Sequence, residues 1–267
     1  MHIRTIKYKE IDQLEGFPPE NWHFNLVEFT RFHFGSDYFI PLIAEKGGEI
    51  VATGNGIYTG RTGWLGNIIV RPQFRGVGIG KAVTRAVMNK LLDWNCRSLL
   101  LIATSEGEAL YKKMGWEICG SYLFYECALP VTYSENHMIR MIKKQDHSKI
   151  AKLDREITGE ERFPLLEKFL DHGLVYDHDG ISGFYLPAFG QGLIISREEP
   201  GGLELLHRKI GSSKISAVVI PEENQTAREF MENMGIRHHS KANRMCWGEH
   251  HNWKPEGVYS RASGYCG

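Results

Sequence analysis

Apolar and polar positions alternate with two different periods along the first half of the chain, so strands and helices are predicted in turn. Short apolar runs predict strands at residues 2–8, 39–45, 49–58, 64–70, 98–102 and 118–129. Apolar residues at helical spacing predict helices at residues 20–34, 79–93 and 105–114. Gly47-Gly48 joins the second and third strands and predicts a hairpin turn there.

The second half repeats this alternation after a short polar segment at residues 130–136, the best candidate for a domain boundary. Strands are predicted at residues 138–142, 174–176, 181–186, 193–196 and 214–220, and helices near residues 150–156, 163–173, 203–210 and 224–234. Both halves contain an apolar strand and then a helix that ends in Met-Gly and a large apolar residue. We therefore predict an α/β (α+β) protein with two related modules, residues 1–130 and 137–267.

Composition excludes several classes of protein. With 42% hydrophobic and 24% charged residues the chain is not of the disordered type. Lys plus Arg and Asp plus Glu both number 32, and the zero net charge favours neither a nucleic-acid binder nor a membrane-surface protein. No apolar run approaches the roughly 18 residues of a membrane span, and the N-terminus does not resemble a signal peptide. Five cysteines without a CxxC pair predict reduced thiols in the cytoplasm and no metal site.

The most informative segment is a glycine-rich turn between a predicted strand and a predicted helix, Gly76-Val77-Gly78-Ile79-Gly80-Lys81. The first turn of a helix has unpaired N–H groups and the positive end of the helix dipole. Glycines also let a bulky anion approach the backbone closely. The segment therefore predicts a phosphate or pyrophosphate site, and the side chains of Arg75 and Lys81 would add positive charge.

Two common phosphate-binding motifs do not fit this turn. A P-loop requires Ser or Thr after its lysine, whereas Lys81 is followed by Ala82. A dinucleotide-binding turn requires GxGxxG and an acidic residue about 20 residues later, and the sequence has neither. The alternative is a plain tight connection, but Arg75 and the strong helix that follows favour a ligand.

The pattern Arg75-x-x-Gly78-x-Gly80 after Val70-x-Pro72 resembles the acyl-CoA pyrophosphate motif of the GNAT N-acetyltransferase superfamily. The resemblance covers residues 2–129. The second half is similar to the C-terminal domain of a tandem, YitH-like subgroup, through residues 219–227, 234–236 and 244–248. The resemblance implies a mixed, mostly antiparallel central sheet flanked by helices, followed by a second, smaller GNAT-like module.

The resemblance also implies roles for individual residues. Backbone groups of Ile68, Ile69 and Val70 would pair with the pantetheine arm of acetyl-CoA as though it were an added strand. The pyrophosphate would be held by the N–H groups of Gly76, Val77, Gly78, Ile79, Gly80 and Lys81. A splay between the strands at 64–70 and 98–102 would pass the thioester to the acceptor. Tyr111 matches the family's tyrosine, and a phenol beside the sulfur can give a proton to the departing thiolate; packing of its ring alone is the alternative.

The sequence departs from the family pattern at two positions of the first module. Many relatives have a Glu on the strand equivalent to residues 64–70, where this chain has only Gly66 and Asn67. The base is left open between a water relay, a residue from another segment and bulk solvent. The family's Asn at the start of the last helix falls at Thr104, next to Ser105, and either hydroxyl could replace it in contacting the cofactor.

The second module shows complementary losses. It keeps Asn224 and Ala227, but Met231 occupies the tyrosine position. No Arg-x-x-Gly-x-Gly follows its Gly190-Gln191-Gly192 segment. We therefore assign the acyl donor to the first module and expect the second to shape the acceptor site or a homodimer.

Candidates for the acceptor site lie in an aromatic and histidine-rich stretch before the second strand: Trp22, His23, Phe24, Phe32, His33 and Phe34. In the family this region overlies the acceptor pocket, and His33 is a candidate base. The alternative is that these side chains pack in the core of an amphipathic helix.

The sequence thus predicts an N-acetyltransferase that moves an acetyl group from acetyl-CoA to a primary amine. We expect direct attack in a ternary complex, because no Cys or Ser stands in a recognisable nucleophile motif. The acceptor is a small-molecule or peptide amine, with no nucleic acid or membrane partner. Two alternatives stay open: a non-catalytic acyl-CoA sensor, which the missing strand acid favours, and a binder of other phosphate esters or nucleotides.

Overall fold

A computed structural model of the chain describes residues 1–127, 136–211 and 216–266, and the chain forms two compact units. The first unit consists of residues 1–101 together with Cys266, and the second of residues 102–265. The polar segment predicted as a boundary lies outside the described residues apart from Asn136. The module bounds 1–130 and 137–267 therefore stay a prediction.

The first unit contains a mixed sheet of five neighbouring strands, in the order β1-β2-β3-β4-β5. Their bounds are β1 His2–Thr5, β2 Phe39–Lys46, β3 Glu49–Thr59, β4 Thr62–Val70 and β5 Ser98–Ala103, of which the last two residues belong to the second unit. The first four strands are antiparallel to their neighbours, and β5 is parallel to β4. The predicted hairpin between β2 and β3 is present, and Gly47 and Gly48 both have positive φ.

Helix α2, Ile79–Asp93, packs closely on this sheet because three strand positions facing it are glycine. A Cβ at Gly54 would lie 2.7 Å from Cγ1 of Val83, and one at Gly63 would lie 2.9 Å from Cδ2 of Leu91. Gly56 leaves similar room for Leu91. The buried face of α2 therefore rests almost directly on the backbone of β3 and β4.

Helix α1 is shorter than the sequence pattern predicts, covering Leu26–His33 rather than 20–34. Within the predicted range, a single 3-10 turn at Glu20–Trp22 precedes it, and His23 then adopts the left-handed conformation with φ 47°. The side chain of Asn25 accepts a hydrogen bond from the N–H of Glu28 and starts the helix there. Apolar spacing alone did not reveal this interruption, because a local capping bond and a left-handed residue cause it.

The second unit contains two further antiparallel groups of strands. In one, β6 (Glu117–Cys127) lies between β11 (Ser216–Pro221) and β12 (His238–Gly248). In the other the order is β13-β10-β9-β8-β7, with bounds β7 Ile139–Met141, β8 Leu174–Asp177, β9 Ile181–Leu186, β10 Leu193–Ser196 and β13 Val258–Ser260. The helices of this unit are α3 Ser105–Lys113, α4 His147–Thr158, α5 Phe163–Leu166, α6 Glu199–Gly211 and α7 Gln225–Asn233.

Three features of this unit differ from the sequence-based expectation. The helix predicted at 163–173 is a short α-helix followed by a 3-10 turn at Glu167–Phe169. Strands β12 and β13 were not predicted, and β12 is rich in polar residues. It forms because it pairs with β6, more than a hundred residues earlier. No helix in the described ranges is both long and apolar enough to cross a membrane.

Candidate active site

The glycine-rich turn connects the end of β4 to the start of α2. A 3-10 turn at Pro72–Phe74 follows the strand, and Nε of Arg75 donates a hydrogen bond to the carbonyl oxygen of Val70 at 3.1 Å. Gly76 and Gly78 then adopt φ of 78° and 86°, a region that favours glycine. A Cβ at either glycine would meet no atom within 4 Å. The turn therefore presents bare backbone to open space.

The backbone donors of this turn are available to a ligand. In the described part of the chain no backbone acceptor is found for the N–H groups of six consecutive residues, Gly76, Val77, Gly78, Ile79, Gly80 and Lys81. The first N–H that bonds back into α2 belongs to Ala82, which donates to the carbonyl of Gly78 at 3.1 Å. Residues 62–92 include five Lys and Arg but no Asp or Glu. The turn thus fits a pyrophosphate group, which needs many donors and positive potential.

Strand β4 carries a bulge just before the turn. Thr53 pairs with Ile69 and Asn55 with Gly66, so β4 has one extra residue between these pairs. Asn67, in the bulge, is left-handed with φ 52°, and its Nδ2 donates to Oδ1 of the buried Asn55 at 2.8 Å. The amide hydrogen bond fixes the bulged backbone, a feature that the sequence did not signal.

Pairing between β4 and β5 stops early. The parallel register runs from Thr62 with Ser98 to Trp64 with Leu100, and within the described residues β4 has no β5 partner beyond that point. Residues 65–70 therefore have one open backbone edge. This is the arrangement that the resemblance implies for Ile68, Ile69 and Val70, whose backbone would pair with the pantetheine arm.

Tyr111 lies in α3, in the second unit, with only 9% of its surface exposed. Its ring centroid is 6.1 Å from that of Trp116, and Gly107 makes room for the ring, since a Cβ there would lie 3.0 Å from Cε2. Burial raises the pKa of Tyr111 to about 12. The phenol is therefore protonated at neutral pH, and among the described residues its hydroxyl has no hydrogen-bond partner.

The two hydroxyl candidates at the start of α3 differ in their contacts. Oγ1 of Thr104 caps the helix by accepting the N–H of Gly107 at 3.2 Å. Ser105 is exposed in the first turn, and its hydroxyl makes no hydrogen bond within the described chain. The predicted site residues therefore fall into two groups: the β4 edge and turn in the first unit, and Ser105 and Tyr111 in the second.

The aromatic and histidine candidates for the acceptor site separate into packed and accessible residues. His33 is 1% exposed, its Nδ1 lies 3.0 Å from the hydroxyl of Tyr38, and its ring contacts Phe29 and Phe39. These contacts favour the packing alternative for His33. Phe32 and Trp22, in contrast, are 50% and 40% exposed.

His23 and Phe24 line a groove of about 590 Å³ in the first unit, which the sequence did not reveal. Four carboxylates also line it, those of Asp12, Glu15, Glu20 and Glu28. Its arginine, Arg31, is paired with Asp12. The groove is therefore suited to a ligand that carries positive charge. These acids are scattered over three segments, so no spacing in the sequence points to them.

Comparison with known families identifies the domain that contains the turn and the tyrosine. Residues 7–116 match the family model described as the acetyltransferase (GNAT) family. These residues form a GNAT domain. The family is one of acetyltransferases, and the matched span includes the bulge, the glycine-rich turn and Tyr111. The resemblance inferred from the sequence is thereby confirmed.

Relatives extend the comparison to the rest of the chain. The uncharacterised N-acetyltransferase YitH of Bacillus subtilis is 27% identical over 125 residues, 46% of this chain; the match spans only 44% of that protein. A putative acetyltransferase from Pyrococcus horikoshii has a similar structure over all of this chain and 95% of its own, with TM-score 0.86 and 19% identity. A tandem GNAT protein from the clavulanic acid biosynthesis pathway aligns over 92% of this chain and 98% of its own, with TM-score 0.60 and 12% identity. The chain thus has a fold similar to that of a tandem GNAT protein, and the predicted fold class is confirmed.

Proposed function

We propose that this protein transfers the acetyl group of acetyl-CoA to a primary amine by direct attack in a ternary complex. The observation that carries the proposal is the row of backbone N–H groups at Gly76–Lys81, which have no backbone acceptor in the described chain and lie at the start of α2, where Gly76 and Gly78 border open space. Such a row matches the pyrophosphate of a CoA thioester better than any other group in the reaction.

The donor would be bound almost entirely by backbone. The N–H groups of the turn hold the pyrophosphate, and the open edge at Ile68, Ile69 and Val70 takes the pantetheine amides as a neighbouring strand would. Arg75, anchored on the carbonyl of Val70, keeps a positive charge at the start of the turn. Lys81, exposed in the first turn of α2, adds a second, and Ser105 is the hydroxyl proposed to contact CoA from α3.

The chemistry requires two proton movements. The amine nitrogen attacks the thioester carbon, the C–S bond breaks, and the phenol of Tyr111 gives its proton to the departing sulfur. The amine loses one proton as the amide forms. Because β4 has no carboxylate, that proton goes to water or to a residue of another segment.

The charge of the groove lined by His23 and Phe24 supports a cationic amine as acceptor. We expect Glu15→Gln combined with Glu20→Gln to raise KM for the amine about 5- to 10-fold, or roughly 1 kcal/mol, with KM for acetyl-CoA unchanged. Steady-state kinetics with each substrate varied in turn would measure both. Asp93→Asn, an exposed change at the end of α2, is the matched control. Equal KM values for double variant and wild type would remove the groove from the acceptor site.

Ligand specificity tests the donor site independently of turnover. CoA is expected to raise Tm strongly, because a ligand at 100 times its Kd adds about 2.7 kcal/mol of apparent stability. ATP and NAD, which lack the pantetheine arm, should raise it far less. Equal shifts with ATP would instead favour a general nucleotide binder.

Thiol release from acetyl-CoA with a panel of amines then separates an enzyme from a sensor. Release that depends on one class of amine is the result expected of an acetyltransferase. Tight CoA binding without release for any amine would favour the non-catalytic sensor, for which the missing acid on β4 is the supporting observation.

A further inference from the structure

A second cavity, of about 190 Å³, lies between β12 and the segment that follows it in the second unit. Two thiols, Cys119 and Cys246, line it together with Arg244, His250 and Trp253. None of the seven residues that line this cavity in the described chain is acidic. The described residues contain no cluster of three or more side chains suited to a metal ion.

The two cysteines come from neighbouring strands. Gly120 pairs with Arg244 and Ile118 with Met245, so Cys119 is an extra residue between these pairs. This bulge lets its side chain reach a neighbour that is not directly opposite. Both thiols line the same cavity, and burial raises the pKa of Cys246.

Cys119 is also in contact with a positive charge. Nη1 of Arg244 donates to Sγ of Cys119 at 3.2 Å, while the guanidinium lies 4.3 Å from the ring centre of Trp253. A guanidinium hydrogen bond stabilises negative charge on sulfur, and the thiolate is the reactive form of cysteine. Both cysteines are half-buried and reach the cavity, whereas Cys96, Cys127 and Cys266 are buried.

We propose that Cys119 and Cys246 form a thiol–disulfide exchange site that takes a small, carboxylate-bearing disulfide such as oxidised glutathione. The cavity supplies room for part of such a reagent next to Cys119. Its lining contains the positive charge of Arg244 and no acidic side chain, which favours a negative reagent.

The exchange proceeds in two balanced steps. Cys119 gives up its proton, and its Sγ attacks one sulfur of the reagent. The reagent's S–S bond breaks, and the departing sulfur takes that proton and leaves as one small thiol. Cys246 then gives up its proton and attacks Sγ of Cys119. The mixed disulfide breaks, and the second small thiol takes that proton and leaves. The two protein thiols are oxidised to one disulfide between β6 and β12, and the reagent is reduced to two thiols.

Mass spectrometry of the full chain treated with oxidised glutathione tests this site. The wild-type protein is expected to lose two hydrogen atoms, with the new bond mapped between Cys119 and Cys246. Cys246→Ser should instead retain one glutathione on Cys119, because no second thiol can displace it. Cys119→Ser should leave Cys246 and the three buried cysteines unmodified over the same time.

The charge argument has its own control. Cystamine is a small disulfide that carries positive rather than negative charge, and we expect it to modify Cys119 at least 10-fold more slowly than oxidised glutathione does. Equal rates would overturn the selectivity for a carboxylate-bearing reagent. Modification of Cys246 in Cys119→Ser at the wild-type rate, or of buried cysteines before Cys119, would overturn the site itself.

Discussion

Replacement of Gly78 by valine is expected to weaken CoA binding about 100-fold or more. Gly78 has φ 86°, so a β-branched side chain there costs ~1–3 kcal/mol of strain or forces the turn into another conformation. Its Cβ would also enter the open space in front of the turn. Loss of even one charge-assisted hydrogen bond adds ~1.5–3 kcal/mol. Together these amounts reach ~2.5–6 kcal/mol, which corresponds to a factor of roughly 60 to more than 1,000 in Kd. Isothermal titration with CoA would measure the change.

A matched substitution separates strain from ligand contact. Gly235, in the second unit, has φ 73° and likewise no atom within 4 Å of a built Cβ. Gly235→Val should therefore lower Tm by a similar amount but leave the Kd for CoA at the wild-type value. If Gly78→Val bound CoA as tightly as the wild type, the backbone turn would not be the pyrophosphate site.

Replacement of Tyr111 by phenylalanine is expected to lower kcat about 100-fold, with KM for acetyl-CoA nearly unchanged. The ring keeps its packing against Trp116, so the fold is preserved and only the proton donor is lost. General acid catalysis typically contributes ~10²–10⁴ in rate. Because burial raises the pKa of Tyr111 to about 12, the wild-type hydroxyl stays protonated below that pH. Its ionisation should therefore cause no loss of kcat between neutral pH and pH 10.

Tyr125 supplies the control for this experiment. It is a buried tyrosine on β6 whose pKa is also raised by burial, but its ring belongs to the core of the second unit. Tyr125→Phe should keep kcat within about 2-fold of the wild type. A Tyr111→Phe variant with full kcat would reduce Tyr111 to a packing residue and leave the leaving thiolate to be protonated by solvent.

The parts of the fold that local pattern determines could be predicted from the sequence. Helix α2 begins and ends at the predicted residues, because its apolar stripe is regular and a glycine precedes it. Strands β9 and β10 also have the predicted bounds. Strand β12 was missed because its residues are mostly polar and its stability depends on pairing with the distant β6. The spacing of apolar residues does not reveal pairing with a strand so far away in the sequence.

The candidate site also contains features that the sequence predicts and features that it does not. Gly76 and Gly78 of the turn could be found because a positive φ is a local requirement that glycine meets. The bulge at Asn67 could not, because it depends on the register between β3 and β4. The packing of His33, a candidate base, could not be predicted for a related reason: the aromatic residues that contact it come from both α1 and β2.

The glycines beneath α2 restrict how this protein can diverge. A side chain at Gly54, Gly56 or Gly63 would come too close to Val83 or Leu91 and would move the helix away from the sheet. Its N-terminal amides would then lose their alignment. We therefore expect substitutions, including those engineered for new acceptors, to be tolerated mainly on the opposite face of β3. The glycines beneath α2 and the turn proposed to bind CoA should change little.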